Sequence, residues 1–297
     1  MSLWLLIPTI IVPVVLLAGF AACDRVFGLY HVDPPPLMIE SATGKDAVTI
    51  TLVWEGDDTM QKYQFHRTNP DGTTTDFDVP VPAAPYDDTG LTPSSTYTYQ
   101  VREFDQSGDP TDFTAAVNAT TLPLTPAYAA TLNDDTLNWQ GYTLIQRIES
   151  THLGATGPHV RITVQAAATS DASIDRVYIS QADSSGKPYD SAADLTAVYD
   201  IAAAGQPFVV SAGMTKPLPI IAYAINRVQP LIIAIDFSAA PGSGVKAAGV
   251  QMSEASAYYL ATPGGGEAAA RTRSPNYTQA IDAGMSRVIL ITTIEVG

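Results

Sequence analysis

The chain has 297 residues, a length that as a prior allows about two domains. It is 46% hydrophobic and only 15% charged, with a formal net charge of −15, a balance that repels phosphate backbones and argues against nucleic acid as a partner. Its single cysteine, Cys23, rules out an intrachain disulfide, so any β domain must be stable from its core alone.

Leu3 to Ala22 carries no charged residue. As a helix rising about 1.5 Å per residue it would span roughly 30 Å, the hydrocarbon thickness of a bilayer. Pro8 and Pro13 would kink it, which membrane helices tolerate better than soluble ones. Three readings stay open. Phe20-Ala21-Ala22-Cys23 resembles a bacterial lipobox, which would make Cys23 a lipid attachment site, although Met1-Ser2 lacks the basic residues of a signal peptide. The segment also suits an uncleaved membrane anchor, or an apolar plug buried in an assembly. Residues 1–23 are therefore an anchor or signal segment. Residues 24–36 form a spacer, stiffened by the consecutive prolines of His31 to Pro36.

From 37 to 122, short β-branched runs alternate with turn signals. Ala47 to Trp54, Lys62 to Arg67 and Thr73 to Val79 read as strands, with Asn69-Pro70-Asp71-Gly72 as a turn. The run DTGLTPSSTYTYQVREFD, starting at Asp88, resembles the E–F corner and F strand of a fibronectin type III domain. That resemblance implies Leu91 in the core, Tyr97 in a tyrosine corner, Trp54 as the core tryptophan of strand B, and Asn118 to Thr121 as the closing strand. A fold of this kind serves as spacer, binding module or adjunct to a carbohydrate-active partner, and does not itself decide which.

From 123 to 297, strands are expected at Thr143 to Ile148, Val160 to Ala166, Ile174 to Gln181, Phe208 to Val210, Ile220 to Ala224, Leu231 to Phe237 and Val288 to Val296. No amphipathic helix of useful length stands out. The pattern predicts a jelly-roll-like β-sandwich. Its order of features loosely resembles carbohydrate-binding-type sandwiches, and more loosely phage or prophage structural proteins.

Chemistry-bearing motifs are sparse. The four histidines, His31, His66, His152 and His159, form no ligand pattern. Asp57-Asp58, Asp87-Asp88 and Asp134-Asp135 form no acid/base dyad by themselves, because adjacent residues on a strand face opposite ways, and they read as turn residues. Asp183, Asp190 and Asp194 share one loop and are the candidates for a structural calcium ion, a cation that takes six to eight oxygens. No other cofactor is expected. Tyr189, Tyr199, Tyr258, Tyr259 and Tyr277 read as loop aromatics able to stack on sugar rings, beside a glycine-rich loop at 264–266. Arg271 and Arg273 follow as candidate contacts for carboxylated sugars.

The sequence thus predicts an all-β, non-enzymatic structural or binding protein: N-terminal hydrophobic helix, fibronectin type III sandwich, then a jelly-roll-like sandwich. A phage virion component (tail, fibre or decoration protein) is the first expectation. A bacterial membrane-anchored lipoprotein or adhesin binding glycans is the second, and a secreted glycan-active enzyme the third. Partners would be other subunits of an assembly or a cell-surface glycan, on a virion surface or the cell envelope.

Overall fold

A computed structural model describes residues 34–82, 85–136, 138–239, 243–260 and 266–297. The expected N-terminal helix, the lipid site Cys23 and His31 lie outside the described residues.

Two separate hydrophobic cores organise the chain. The first is built by strands β1 (Met38–Gly44), β2 (Ile50–Glu55), β3 (Lys62–Thr68), β4 (Thr74–Pro80), β5 (Tyr86–Asp88), β6 (Thr96–Phe104) and β7 (Val117–Thr120). A three-stranded sheet, β1-β2-β5, packs on a four-stranded sheet, β4-β3-β6-β7. Alternation drives this packing. Ile50, Leu52 and Trp54 point inward from β2, and Tyr97, Tyr99 and Val101 from β6, while their neighbours face solvent. Trp54 meets Phe65 edge-on at 4.9 Å and Tyr63 at 5.5 Å. Leu91 is buried, and the Tyr97 hydroxyl accepts a 2.8 Å bond from the Thr92 amide. Strand order, core and tyrosine corner make this a fibronectin type III-like sandwich.

Of the three carboxylate pairs, only Asp57-Asp58 lies outside the strands. Asp87 and Asp88 are in β5, and the period of two sends them to opposite faces. Asp87 stays outside and accepts from Lys45 and Thr51. Asp88 turns inward, pairs with Arg67 across the two sheets at 2.8 Å, and accepts the Tyr99 hydroxyl at 2.7 Å.

The second core is enclosed by β8 (Thr125–Ala129), β9 (Asp134–Thr136), β10 (Thr143–Ile148), β11 (His159–Gln165), β12 (Ala172–Gln181), β13 (Thr196–Asp200), β14 (Phe208–Val210), β15 (Thr215–Pro217), β16 (Ile221–Ala222), β17 (Leu231–Phe237), β18 (Val245–Val250), β19 (Ala255–Leu260), β20 (Thr278–Gln279), β21 (Ile281–Asp282), β22 (Met285–Ile289) and β23 (Ile291–Val296). One wall runs β13-β12-β17-β10-β19-β20, with β14 beside β12. The facing wall is made of β15-β11-β23-β8 and β21-β22-β18-β9. This is a jelly-roll-like sandwich, and among the described residues the chain is all-β apart from a 3-10 turn (Ser150–His152) and one helical turn, α1 (Ile201–Ala204).

Every residue of β17 is buried. Leu231, Ile233, Ile235 and Phe237 enter the main core, while Ile232 and Ala234 lie under a loop layer on the outer face. A short continuous apolar run is the sequence form of a strand covered on both sides. The expected single strand from Val288 to Val296 is instead two. Leu290 adopts φ +70° and gives its amide to Lys246, sending β22 and β23 into different sheets.

The two sandwiches meet closely. A Cβ at Gly297 would lie 2.7 Å from the Ala47 Cβ, so the backbone itself fills the seam. His159 Nδ1 stands 3.8 Å from the Asp46 carboxylate across it.

Candidate functional site

The turn between β9 and β10 reads Asn138-Trp139-Gln140-Gly141-Tyr142. Asn138 and Gly141 take positive φ, +68° and +73°, in the region open to asparagine and glycine. Amide bonds from Trp139 to Ser243 and from Gly141 to Ser238 pin the turn to the sandwich. Two aromatic rings are thereby brought together. Trp139 and Tyr142 meet edge-on at 5.4 Å, and Tyr259 of β19 closes on both at 6.0 Å.

These rings line one side of a groove of about 500 Å³, within the range of small-molecule sites; Tyr142 and Tyr259 are half-buried there, and Trp139, 9% exposed, is packed into the main core. Its far wall holds Gln279, Asp282 and Arg287. The Trp139 indole donates to Thr136 at 3.0 Å, which fixes its ring plane. Arg287 donates to Asp282 at 2.6 Å and to Asp134 at 3.1 Å. Its side chain is 11% exposed, whereas the two carboxylates are 69% and 56% exposed. The groove therefore presents the Asp282 carboxylate, while the Arg287 guanidinium is engaged by carboxylates on both sides. Wholly buried Gln146 steadies this wall, donating to the Ser256 and Arg287 carbonyls and accepting from the Ile289 amide. A second groove, about 570 Å³, lies at the seam between the sandwiches and is lined by Val48, Leu91, Pro93, His159, Arg161 and Leu218.

The tyrosines expected in loops are divided. Tyr199, Tyr258 and Tyr259 belong to strands β13 and β19. Tyr258 and Tyr259, being adjacent on a strand, face opposite sides of the sheet. Tyr258 joins Tyr189 and Tyr277 on the outer face, with Tyr189 stacked on Tyr277 at 4.8 Å and tilted to Tyr258 at 5.3 Å. Together they roof Ile145, Ile232 and Ala234, and Tyr189 is 6% exposed.

Arg273 is the centre of that roof and is 2% exposed. Its guanidinium donates to the carbonyls of Tyr189, Glu267 and Ala268 and to the Ser191 hydroxyl. Burial pulls its pKa below the ordinary arginine value. Its donors are spent on the protein, so Arg273 staples two loops and is closed to a sugar carboxylate. Arg271 is exposed and donates to the Ala192 carbonyl at 3.1 Å.

The acidic loop does not converge. Asp183 caps Ser185, Asp190 accepts the amides of Arg273 and Lys187, and Asp194 accepts from the Gln181 amide and the Tyr223 hydroxyl. Among the described residues, no group of three His, Cys, Asp or Glu side chains is placed to hold a metal ion. His66 pairs with Asp76, and His152 and His159 lie apart, in the 3-10 turn and at the seam.

No protein-family model matches the chain, and no curated protein does. Solved structures give fold-level similarity at low TM-scores. The FN5 domain of Drosophila Lar is 24% identical over 30% of this chain and 95% of its own, with a TM-score of 0.25. A two-domain fibronectin type III segment from chicken tenascin is 10% identical over 87% of this chain and 99% of its own, at 0.24. A Streptomyces avermitilis α-L-rhamnosidase is 13% identical over 85% of this chain and 25% of its own, at 0.23.

Tyr259 is the one sequence candidate that reaches the groove. Trp139 and Tyr142 escaped sequence reading. The available signal was two aromatics in a turn whose Asn and Gly permit positive φ.

Proposed function

We propose that this chain is a non-catalytic structural and binding protein displayed on a surface, with the aromatic groove of its second sandwich as the point of contact. The observation that carries this reading is the groove itself: three mutually packed aromatic rings facing a wall of fixed polar side chains. The carboxylate lining it, Asp282, is engaged by Arg287, which favours binding over acid–base chemistry. The close seam between the sandwiches suits a stalk that carries a binding head.

The surface we assign first is a phage virion, as a tail, fibre or decoration component. The support is the loose resemblance of the second half to such proteins. A bacterial envelope lipoprotein or adhesin is the second assignment, supported by the lipobox-like run ending at Cys23. Immunogold labelling of intact particles and cells, with the intact mass of the native protein, separates the two. Label on virions with an unacylated chain supports the first, and label on the envelope with an acylated Cys23 supports the second. Label confined to the cytosol would overturn display altogether.

A further inference from the structure

We infer that the groove over Trp139, Tyr142 and Tyr259 is a site for an uncharged glycan, and that its acidic rim turns away carboxylated and sulfated ones. This inference rests on the binding reading above and names the ligand class.

An aromatic floor suits the C–H face of a pyranose. It provides apolar area and a negative ring quadrupole opposite weakly positive hydrogens. A sugar also needs hydrogen-bond partners placed to the side for its hydroxyls. Asp282 offers exposed carboxylate oxygens there, and Gln279 offers an amide oxygen together with a nitrogen that reaches the Ser256 hydroxyl at 3.4 Å. The floor is preformed: the Trp139 indole is fixed by Thr136, and the Asn138–Tyr142 turn is fixed by backbone bonds, so little order is lost on binding.

Charge sets the class. The groove shows one exposed carboxylate, Asp282, on a chain of net −15, and a second carboxylate outside the groove, Asp134, also engages the Arg287 guanidinium. Arg287 is the cation in the groove wall, and its nitrogens already serve Asp282 and Asp134. An anionic sugar would meet like charge and find the cation taken, a device of specificity by exclusion. The arginines that read from sequence as acid-sugar contacts, Arg271 and Arg273, lie in the roof of the outer face and away from this groove.

The test is titration calorimetry of the full chain with cellohexaose, xylohexaose, chitohexaose and maltohexaose, set against hexagalacturonate and a proline-rich decapeptide. Tyr259→Ala removes floor. Gln279→Ala, on the two-residue edge strand β20, removes a rim contact with less risk to folding. At least one neutral hexasaccharide should bind, and each substitution should weaken it by about tenfold or more. Asp282→Lys should reverse the rim and admit hexagalacturonate. Tighter binding of hexagalacturonate by the native chain would overturn the charge argument while leaving a binding protein. Preference for the decapeptide, or no binding to any saccharide, would overturn the glycan assignment. In either case the location experiment above still decides display on its own.

Discussion

Tyr258 and Tyr259 are consecutive in β19 and serve opposite faces of one sheet: the first leans on Tyr189 at 5.3 Å, the second on Trp139 at 6.0 Å. Their substitutions should therefore separate stability from binding. Tyr258→Ala opens the roof over Ile145 and Ala234 and should lower stability by about 2 kcal/mol, less than for a fully buried ring, with saccharide affinity retained. Tyr259→Ala should weaken affinity by about tenfold or more. Chemical denaturation and calorimetry on both variants check the division, and loss of affinity in Tyr258→Ala alone would contradict it.

Arg273→Met should be among the most damaging single changes in the second sandwich. The long apolar chain fills the volume, yet the Tyr189 and Ala268 carbonyls and the Ser191 hydroxyl lose their donor beneath the roof, while the Glu267 carbonyl keeps the Ala270 amide. Buried polar groups left without partners cost about 1–3 kcal/mol each, and several act here as one network. Arg271→Ala, at an exposed position, should change stability by less than about 0.5 kcal/mol. Comparable midpoints for the two variants in urea would show that Arg273 is no staple.

The tyrosine corner of the first sandwich is testable by one atom. Tyr97→Phe deletes the oxygen that accepts the Thr92 amide at 2.8 Å and keeps the ring in the core. The expected cost is about 1 kcal/mol, with an unchanged denaturant slope because the surface exposed on unfolding is the same.

Asp200 gives a pH dependence with a definite sign. The Tyr178 hydroxyl, then the Ala202 amide, hold its carboxyl below the ordinary 3.8. A depressed folded value means that the stabilisation is complete above 3.8 and is lost as pH falls through the depressed value. Asp200→Asn can still cap α1 but no longer titrates. The gap in Tm between native and variant chains should be widest near neutrality and should shrink below about pH 4. A gap independent of pH would remove the charge from the account.

Local pattern carried much of this structure. The runs Thr143 to Ile148, Phe208 to Val210 and Leu231 to Phe237 coincide with β10, β14 and β17, because β-branched and apolar residues between turns leave few alternatives. The tyrosine corner at Tyr97 was legible instead through the resemblance of the run starting at Asp88 to a fibronectin type III domain. Strands β18 and β19 escaped, since VKAAGV and ASAYYL are rich in alanine and pack small side chains where the walls come close. The break at Leu290 depends on a tertiary hydrogen bond to Lys246 that no local pattern encodes. The groove was only partly legible: its members come from a turn, β19, β20, β21 and β22, and are joined by sheet order. Arg273 and Tyr189 read as exposed ligand contacts because burial of a polar side chain depends on which loops fold over it.

The most direct test of the central claim is the emission of Trp139 during titration with the neutral hexasaccharides. A Trp4→Phe, Trp54→Phe background leaves Trp139 as the one tryptophan of the sequence, and Trp139 lines the groove. The account predicts a saturable change in emission with a neutral hexasaccharide, weakened when Tyr259→Ala is added. Flat emission at millimolar saccharide, or an equal change in the presence of Tyr259→Ala, would contradict it.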